Sequence, residues 1–337
     1  MAQRRYVFGG GVPAGWSSSI TIDFMKGAGI SRNDSFFKDK DLLGTLISTN
    51  NWPVRDQGTR GTCNAFAVAA AEELLGHNMS GALKNLSEEY LYGKMQGYGL
   101  DPLRDIGVNL SDIDEQALAE SGGTFLEQAR MTLIKNGLCS EASVEYQSNA
   151  ATNHFETVFP EPAEIEASSS KIAEGKLAHD IVQRPKPAKL NPWLRSSTEQ
   201  PISEVLAEKI QSGLPAAASF AILSGTGKQA WTGRRARHLG KVEYPSDTVA
   251  RELTAIGGHS VCLVGFIASN DENTLHKGWF VFRNSYGEDG FAKSFHKDDT
   301  QPVVPAAGYG LISTHDVDRY CWEYLARTSG GSGQPVF

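Results

Sequence analysis

The chain has 337 residues, a length that suffices for one large domain or two lobes. Its formal net charge at pH 7 is −7, and its apolar and charged fractions are ordinary for a globular protein. The negative charge argues against general affinity for nucleic acid or anionic membranes. No apolar run approaches the roughly 20 residues of a membrane helix, and the basic start lacks the apolar segment of a secretory signal peptide. We therefore predict a cytoplasmic protein without nucleic-acid or membrane partners. Export by a non-classical route stays open as an alternative.

The four cysteines lie far apart in the sequence, at Cys63, Cys139, Cys262 and Cys321. Because they form no C-x-x-C pair, this usage favours a reducing compartment over a disulfide scaffold. His259 and Cys262 are close in sequence, but no second pair of ligands has the spacing of a zinc site. We therefore predict neither a metal site nor a cofactor.

The two ends of the chain differ in composition from its middle. Residues 1–47 are rich in glycine, serine and aspartate and have weak periodicity, which predicts an extended lead-in. Residues 326–337 are rich in glycine and serine and are predicted to form a flexible tail.

The segment Asn51–Gly76 combines a turn-rich loop with a helix, which Gly76 is expected to end. Cys63 falls where the loop becomes the helix, and the unpaired amides and dipole of a helix N-terminus favour a thiolate. Gln57, six residues upstream, is a neutral amide able to donate to an oxygen that gains charge. A lone cysteine beside an alanine-rich helix is more often a small core residue, so a nucleophile requires a base elsewhere in the chain.

The first half of the chain is predicted to be mostly helical. Ser87 is expected to cap a helix that begins with two glutamates. After a glycine pair, Thr124 and Glu127 are predicted to form the capping box of another helix, which Gly137 ends.

Two stretches with loop-like composition are predicted to be surface insertions. Residues 147–200 combine prolines, serines and mixed charge; their RPKP run would suit a proline-binding partner, although a stiff solvated loop is favoured. Residues 224–257 contain a basic cluster that would suit an acidic protein partner, although a solvated loop is again favoured. The cluster consists of Arg234, Arg235, Arg237 and Lys241.

The last third of the chain is predicted to be rich in strands. Between the insertions the pattern predicts an amphipathic helix and then a buried strand, over 202–213 and 216–223. Residues 259–268 and 278–287 are apolar runs bounded by turn residues, which predicts adjacent antiparallel strands. His259 opens the first run and Asn284 lies near the end of the second, so this pairing would make them neighbours. They would supply the base and its orienting group, although a histidine at a strand end is more often structural.

The order Gln57, Cys63, His259, Asn284 resembles that of the papain family of cysteine peptidases. QGTRGTCNAFA is similar to the family's oxyanion-glutamine and nucleophile segment, GGHSVCLVGF to its histidine strand, and WFVFRNSYG to its asparagine strand. LSEEYL, SGGTFLEQARMTLIKNG and GYGLIS resemble further segments in the same order. The resemblance covers roughly residues 48–325.

This resemblance implies an α+β, papain-like two-lobe fold, with a helical lobe, a β-barrel-like lobe and an active-site cleft between them. The helical lobe would span about 48–146 and the β-rich lobe about 201–325, with the insertions at the cleft rim. The lead-in would be able to cross and cover the cleft.

The resemblance also implies a cysteine endopeptidase that acts on a protein or peptide substrate. A Cys63 thiolate, paired at rest with a His259 imidazolium, would form a covalent acyl-enzyme. Gln57 would stabilise the oxyanion and Asn284 would orient the imidazole. The residues assigned to substrate binding are Gly122, Gly123 and Tyr286.

The sequence departs from the family pattern in ways that leave other functions open. Asn64 stands where the family commonly has tryptophan, Tyr286 replaces a tryptophan that shields the asparagine–histidine contact, and Arg60 occupies the place of a disulfide cysteine in many secreted relatives. The same residues would serve an acyltransferase, an amidase or an isopeptidase. A non-catalytic papain-like binding scaffold is a further alternative.

Overall fold

The computed structural model describes residues 52–108, 110, 115–151, 154–181, 201–246, 253, 255–269, 277–297, 302 and 304–328. The lead-in predicted over 1–47 lies outside the described residues, as do residues 182–200 of the first predicted insertion and all but the first residues of the predicted tail.

The regular structure in the first half of the described chain is mostly helical, as predicted. The ten α-helices found in the described ranges are α1 (Cys63–Ser80), α2 (Glu88–Gly97), α3 (Asp101–Asp105), α4 (Glu115–Ser121), α5 (Leu126–Lys135), α6 (Glu161–Ser168), α7 (Ile202–Gln211), α8 (Gln229–Thr232), α9 (Gly287–Gly290) and α10 (Thr314–Tyr320). Short 3₁₀ turns at Glu174–Lys176, Gly225–Lys228 and Phe295–Lys297 and a π-helical turn at Arg235–Leu239 supplement them. None of the described helices has the length and apolarity needed to cross a membrane.

The described strands form one mixed sheet. They are β1 (Leu177–Ile181), β2 (Ala216–Leu223), β3 (Lys241–Val242), β4 (Ala255–Ala268), β5 (Gly278–Arg283), β6 (Tyr309–Ser313) and β7 (Cys321–Arg327), in the spatial order β1-β7-β2-β4-β5-β6-β3. The α+β class is confirmed. The barrel-like closure that we expected is wrong for the described strands, because β1 and the two-residue β3 lie at opposite edges of an open sheet.

The predicted strand pairing at the histidine is confirmed. β4 and β5 are antiparallel, with Ala268 opposite Gly278 and Cys262 opposite Arg283. β2 flanks β4 on its other side, and all eight of its residues are buried. The first residues of β4 therefore lie beside the residues that follow β5, which is the end of the sheet where His259 and Asn284 meet.

Helix α1 is packed between the other helices and the sheet. Thirteen of its 18 residues are buried, so it has no broad polar face, and its alanines allow a close approach to its neighbours. One core cluster joins α1, α2 and α5 to Ala217 of β2 and Leu325 of β7. This packing holds the N-terminus of α1, and with it Cys63, against the sheet.

Two predicted helix ends are wrong. Helix α1 continues through Gly76 to Ser80, and Gly81 ends it with a φ of +72°, a left-handed conformation that glycine adopts without strain. Helix α5 begins at Leu126, one residue later than the predicted capping box requires, and the Phe125 N–H donates to Gln128 Oε1 at 2.7 Å. Ser87, in contrast, caps α2 as predicted, since its Oγ accepts from the Tyr90 N–H at 3.0 Å.

Parts of both predicted insertions, and the start of the predicted tail, belong to the core. Ala163 and Ala167 of α6 are buried, and β1 pairs with β7 at one edge of the sheet. In the second insertion Trp231 is 1% exposed and Lys241 is buried in β3, so the solvated-loop interpretation is wrong for these residues, whereas Arg234 and Arg235 are exposed as it predicts. The RPKP run of the first insertion lies outside the described residues. Strand β7 extends to Arg327, past the start of the predicted tail.

Candidate active site

Cys63 is the first residue of α1 and is fully buried. The first helical hydrogen bond in this turn runs from the Phe66 N–H to the Thr62 carbonyl oxygen. The backbone N–H of Cys63 therefore belongs to the first turn, whose amides have no acceptor within the helix. This position is the loop-to-helix junction predicted from the sequence, and its amides and dipole favour negative charge on the sulfur.

His259 and Asn284 are joined by a hydrogen bond of 2.8 Å between the histidine Nε2 and the asparagine Oδ1. Asn284 Oδ1 also accepts from the Ser285 backbone N–H at 2.8 Å, which fixes the orientation of the amide, since only its oxygen can accept. His259 Nε2 must then be the donor, so Nε2 bears a hydrogen. The other ring nitrogen, Nδ1, is the one that remains for proton exchange.

Two aromatic rings enclose His259, which has no solvent exposure. Trp231 contacts it edge to face, with ring centroids 4.9 Å apart, and Tyr286 stacks on it with centroids 4.6 Å apart. Burial lowers the pKa of His259 from 6.5 to about 4 because the imidazolium loses its hydration, although the hydrogen bond to Asn284 acts in the opposite direction. The ring is therefore neutral around pH 7 in this environment.

Tyr286, which is predicted to bind substrate, lies beside His259 in the structure. Its side chain is 1% exposed and covers the imidazole instead of lining open surface. Its hydroxyl lies 3.1 Å from His259 Nδ1. Because the two rings are within 23° of parallel, this hydroxyl lies toward the face of the imidazole and not along the in-plane lone pair, so the hydrogen bond is weak.

Gln57 is held beside Asn284 by main-chain pairing between two loops. Its N–H donates to the Ser285 carbonyl oxygen at 2.8 Å, and Asp56 and Tyr286 form an isolated antiparallel bridge. Its side chain is fixed at both ends, because Oε1 accepts from Ser285 Oγ at 2.5 Å and Nε2 donates to the Arg60 carbonyl oxygen at 2.7 Å. An amide nitrogen bears two hydrogens, and the Arg60 carbonyl uses one of them.

Arg60 anchors the loop between Gln57 and Cys63, a role that the sequence did not reveal. Its guanidinium is buried, pairs with the Glu89 carboxylate, and lies 5.1 Å from the ring centroids of both Tyr92 and Tyr146. Two carbonyl oxygens of the segment 147–154 accept from it as well, at 3.1 and 2.7 Å. A buried, bidentate and ring-stacked arginine thus restrains the loop, with no disulfide at this position.

The glycine pair predicted to bind substrate lies against this loop. A Cβ on Gly61 would lie 2.6 Å from the Ser121 carbonyl oxygen, so only glycine permits this approach. The N–H groups of Gly122 and Gly123 donate to carbonyl oxygens at the end of α4, at 3.2 and 3.1 Å, and the Gly122 carbonyl oxygen accepts from two side chains of α2 at 2.9 Å. A substrate strand would thus use the Gly123 carbonyl oxygen or displace one of these bonds.

The described contacts therefore join Gln57, Asn284, His259 and Tyr286 into one hydrogen-bonded group, and place the glycine pair beside the loop that leads to Cys63. Trp231, Ser285 and Arg60 belong to this site but were not predicted. Ser285 directly follows Asn284 in the sequence, so its presence near the site could have been inferred. No local pattern indicated that Trp231 or Arg60 would reach the site.

No known protein-family model matches the chain. Among solved structures it is similar to xylellain, a cysteine protease from Xylella fastidiosa, with 17% identity, coverage of 98% of this chain and 100% of that chain, and a TM-score of 0.52. Matches to a Carica candamarcensis cysteine protease (17% identity, 83% and 93% coverage, TM-score 0.44) and to digestive procathepsin L 3 of Tenebrio molitor larval midgut (15%, 81% and 66%, TM-score 0.45) are weaker. The similarity to xylellain shows that this chain has the papain-like cysteine protease fold.

Proposed function

We propose that the chain is a cysteine endopeptidase that hydrolyses peptide bonds of a protein or peptide substrate through an acyl-enzyme on Cys63. The observation that supports this most is the His259–Asn284 hydrogen bond of 2.8 Å. This bond directs Nε2 to the fixed Asn284 Oδ1 and turns Nδ1 to proton exchange. The fold, which is similar to that of a cysteine protease, supports the same proposal.

In the proposed first step, the Cys63 thiol transfers its proton to His259 Nδ1 as the sulfur attacks the substrate carbonyl carbon. Burial disfavours an imidazolium on its own, so the charged ring forms together with the negative charge that develops beside it. The imidazolium then protonates the leaving amine, the C–N bond breaks, and the acyl group remains on sulfur. In the second step, neutral His259 takes a proton from water as the water oxygen attacks the thioester carbon. The C–S bond then breaks, the acid is released, and the imidazolium returns its proton to the Cys63 sulfur.

The oxyanion of each tetrahedral intermediate would accept from the Cys63 backbone N–H and the second amide hydrogen of Gln57. The Ser285 and Arg60 bonds hold that amide in place before the reaction, which is the condition under which such donors are effective. Removal of one oxyanion donor typically costs about 10²–10³ in rate. Gln57→Ala is therefore expected to lower kcat by about that factor, while Cys63→Ala abolishes turnover.

The proposal is tested by labelling and cleavage with wild type and the Cys63→Ala variant. A peptidyl epoxide should modify Cys63 and no other cysteine, as located by mass spectrometry, and a peptide library should yield products with wild type only. Equal cleavage by Cys63→Ala would refute the mechanism. Parallel screens with isopeptide and simple amide substrates separate peptide hydrolysis from the other acyl-transfer reactions, and absence of both labelling and products would favour a binding scaffold.

A further inference from the structure

Asn64 directly follows the proposed nucleophile, and its side chain is fully buried between the helices and the sheet. Its Nδ2 donates to the Thr124 carbonyl oxygen at 2.6 Å and lies 3.2 Å from Thr124 Oγ1. On its other side, Oδ1 is within hydrogen-bond distance of the Ser260 hydroxyl and, at 3.2 Å, of the Ser219 hydroxyl. One amide thus links α1 to the segment before α5 and to two strands.

The two serines are opposite each other on β2 and β4, with hydroxyl oxygens 2.6 Å apart. Their two hydrogens must serve three contacts, because Asn64 Oδ1 only accepts. If Ser219 donates to Ser260 and Ser260 donates to Asn64, both hydrogens lie on the shorter contacts and the 3.2 Å contact lacks one. Ser260 is therefore the main link between Asn64 and the sheet.

Each member of this network adjoins a part of the proposed site. Thr124 comes directly after the glycine pair, Ser260 directly after His259, and Asn64 itself directly after Cys63. We propose, building on the peptidase function above, that Asn64 is a positioning residue that sets the nucleophile against the histidine and against the segment that binds the substrate backbone. Its burial and its two-sided bonding make this link rigid.

The two sides of the network predict separate kinetic effects. Ser260→Ala breaks only the link to the histidine strand, so kcat should fall while KM is kept. Asn64→Ala breaks both links, so kcat should fall and KM should rise. A displacement of about 1 Å between reacting groups costs about 10² in rate, so a loss of at least about tenfold in kcat is expected for either variant.

The experiment compares wild type, Ser260→Ala, Asn64→Ala and a control, Ser170→Ala, below the thermal unfolding midpoint of all four. Ser170 is buried and bonds to Leu138 and Ala167, so its variant loses hydrogen bonds of the same kind away from the site. The measurements are kcat and KM for a peptide from the cleavage screen. A third is the rate of Cys63 alkylation by iodoacetamide as a function of pH.

The expected result is a loss of about tenfold or more in kcat and in the alkylation rate at neutral pH for both network variants, with KM raised only in Asn64→Ala. Ser170→Ala should change the unfolding midpoint alone. Network variants that match Ser170→Ala in all three measurements would overturn the proposal. If wild type cleaves no peptide, the peptidase function fails, while the alkylation profiles still decide whether the network positions Cys63. Should Asn64→Ala not fold, Ser260→Ala decides.

Discussion

His259 experiences two opposed effects, of which burial is the stronger. Loss of hydration lowers the pKa of the ring to about 4, and the bond to Asn284 Oδ1 offsets only part of this change. A neutral ring, which has an electron pair on Nδ1, is the form that a general base requires. The thiolate–imidazolium pair expected at rest therefore depends on the charge of the Cys63 sulfur, since the surroundings of the imidazole alone favour the neutral ring.

This pKa change predicts how stability depends on pH. Between about 4 and 6.5 the unfolded chain binds a proton at His259 that the folded chain does not, so the free energy of unfolding rises with pH across this window. His259→Gln removes this titration. The unfolding free energy of wild type relative to the variant should therefore decrease by up to about 3 kcal/mol as the pH falls from 6.5 to about 4. Urea unfolding measures this difference.

If the His259→Gln curve ran parallel to the wild-type curve across this window, the histidine would not be held neutral by burial.

Single residues were predictable from the sequence where a local motif surrounds them. Gln57, Cys63, His259 and Asn284 each lie in a segment whose pattern predicts its local structure, and strand pairing alone predicts that the last two are neighbours. Trp231 was not predictable, because it lies in a stretch whose arginines and glycines indicate a solvated loop. Its contact with His259 depends on the path of that stretch across the sheet, which sequence composition does not specify.

At the scale of one helix, the first turn of α2 shows two adjacent carboxylates in different environments. Glu89 accepts from both terminal nitrogens of Arg60 and from the Gln147 N–H at 3.0 Å. Glu88 is also buried, and although Arg55 Nη1 lies 2.6 Å from its Oε2, neither of its oxygens accepts a hydrogen bond from a side chain of the described residues. Burial, and then the carboxylates near it, raise the pKa of Glu88 well above 4.5, against the attraction of Arg55.

Neutralising these two residues should have opposite results. The folded state holds a proton on Glu88 that the unfolded state releases above about pH 4.5, so wild-type stability is lost as the pH rises past that value. Glu88→Gln should therefore equal or exceed wild type in unfolding free energy, by a margin that grows with pH. Glu89→Gln should lose about 1.5–3 kcal/mol or more, since it breaks charged hydrogen bonds. Urea unfolding at two pH values tests both, and equal destabilisation would contradict this account.

The elements themselves were predictable where periodicity is strong and composition is uniform. The helix over 202–213 and the strand over 216–223 were located to within two residues. The end of α1 differs from the predicted one because the helix continues through Gly76. An internal glycine costs a helix about 1 kcal/mol, which the packing of this largely buried helix offsets. Strand β1 was missed because its sequence, LAHDI, has no strong alternation and lies between polar stretches.

For the molecule as a whole, Glu323 of β7 links the sheet to the helices. Its carboxylate is fully buried and accepts from the backbone N–H groups of Leu126 and Glu127, both at 2.9 Å, so that it caps α5 from another element. His179 of β1 bridges the Glu323 and Glu127 carboxylates, at 2.9 and 3.0 Å. The α+β fold followed from the order of motifs. This joint did not, because Leu126 and Glu323 are 197 positions apart in the sequence.

Because the Glu323 carboxylate is buried and accepts charge-assisted hydrogen bonds from two backbone N–H groups, the Glu323 joint should stabilise the fold more than an exposed ion pair does. Glu323→Gln replaces one acceptor oxygen by a donor that faces the helix N–H groups, so at least one charged hydrogen bond, worth about 1.5–3 kcal/mol, is lost. The control is Glu174→Gln, whose side chain is 75% exposed and pairs with Arg130 at 3.1 Å; such pairs contribute about 0–1 kcal/mol. Urea unfolding at neutral pH compares the two variants. A loss for Glu323→Gln no greater than that for Glu174→Gln would show that the helix is held by apolar packing alone.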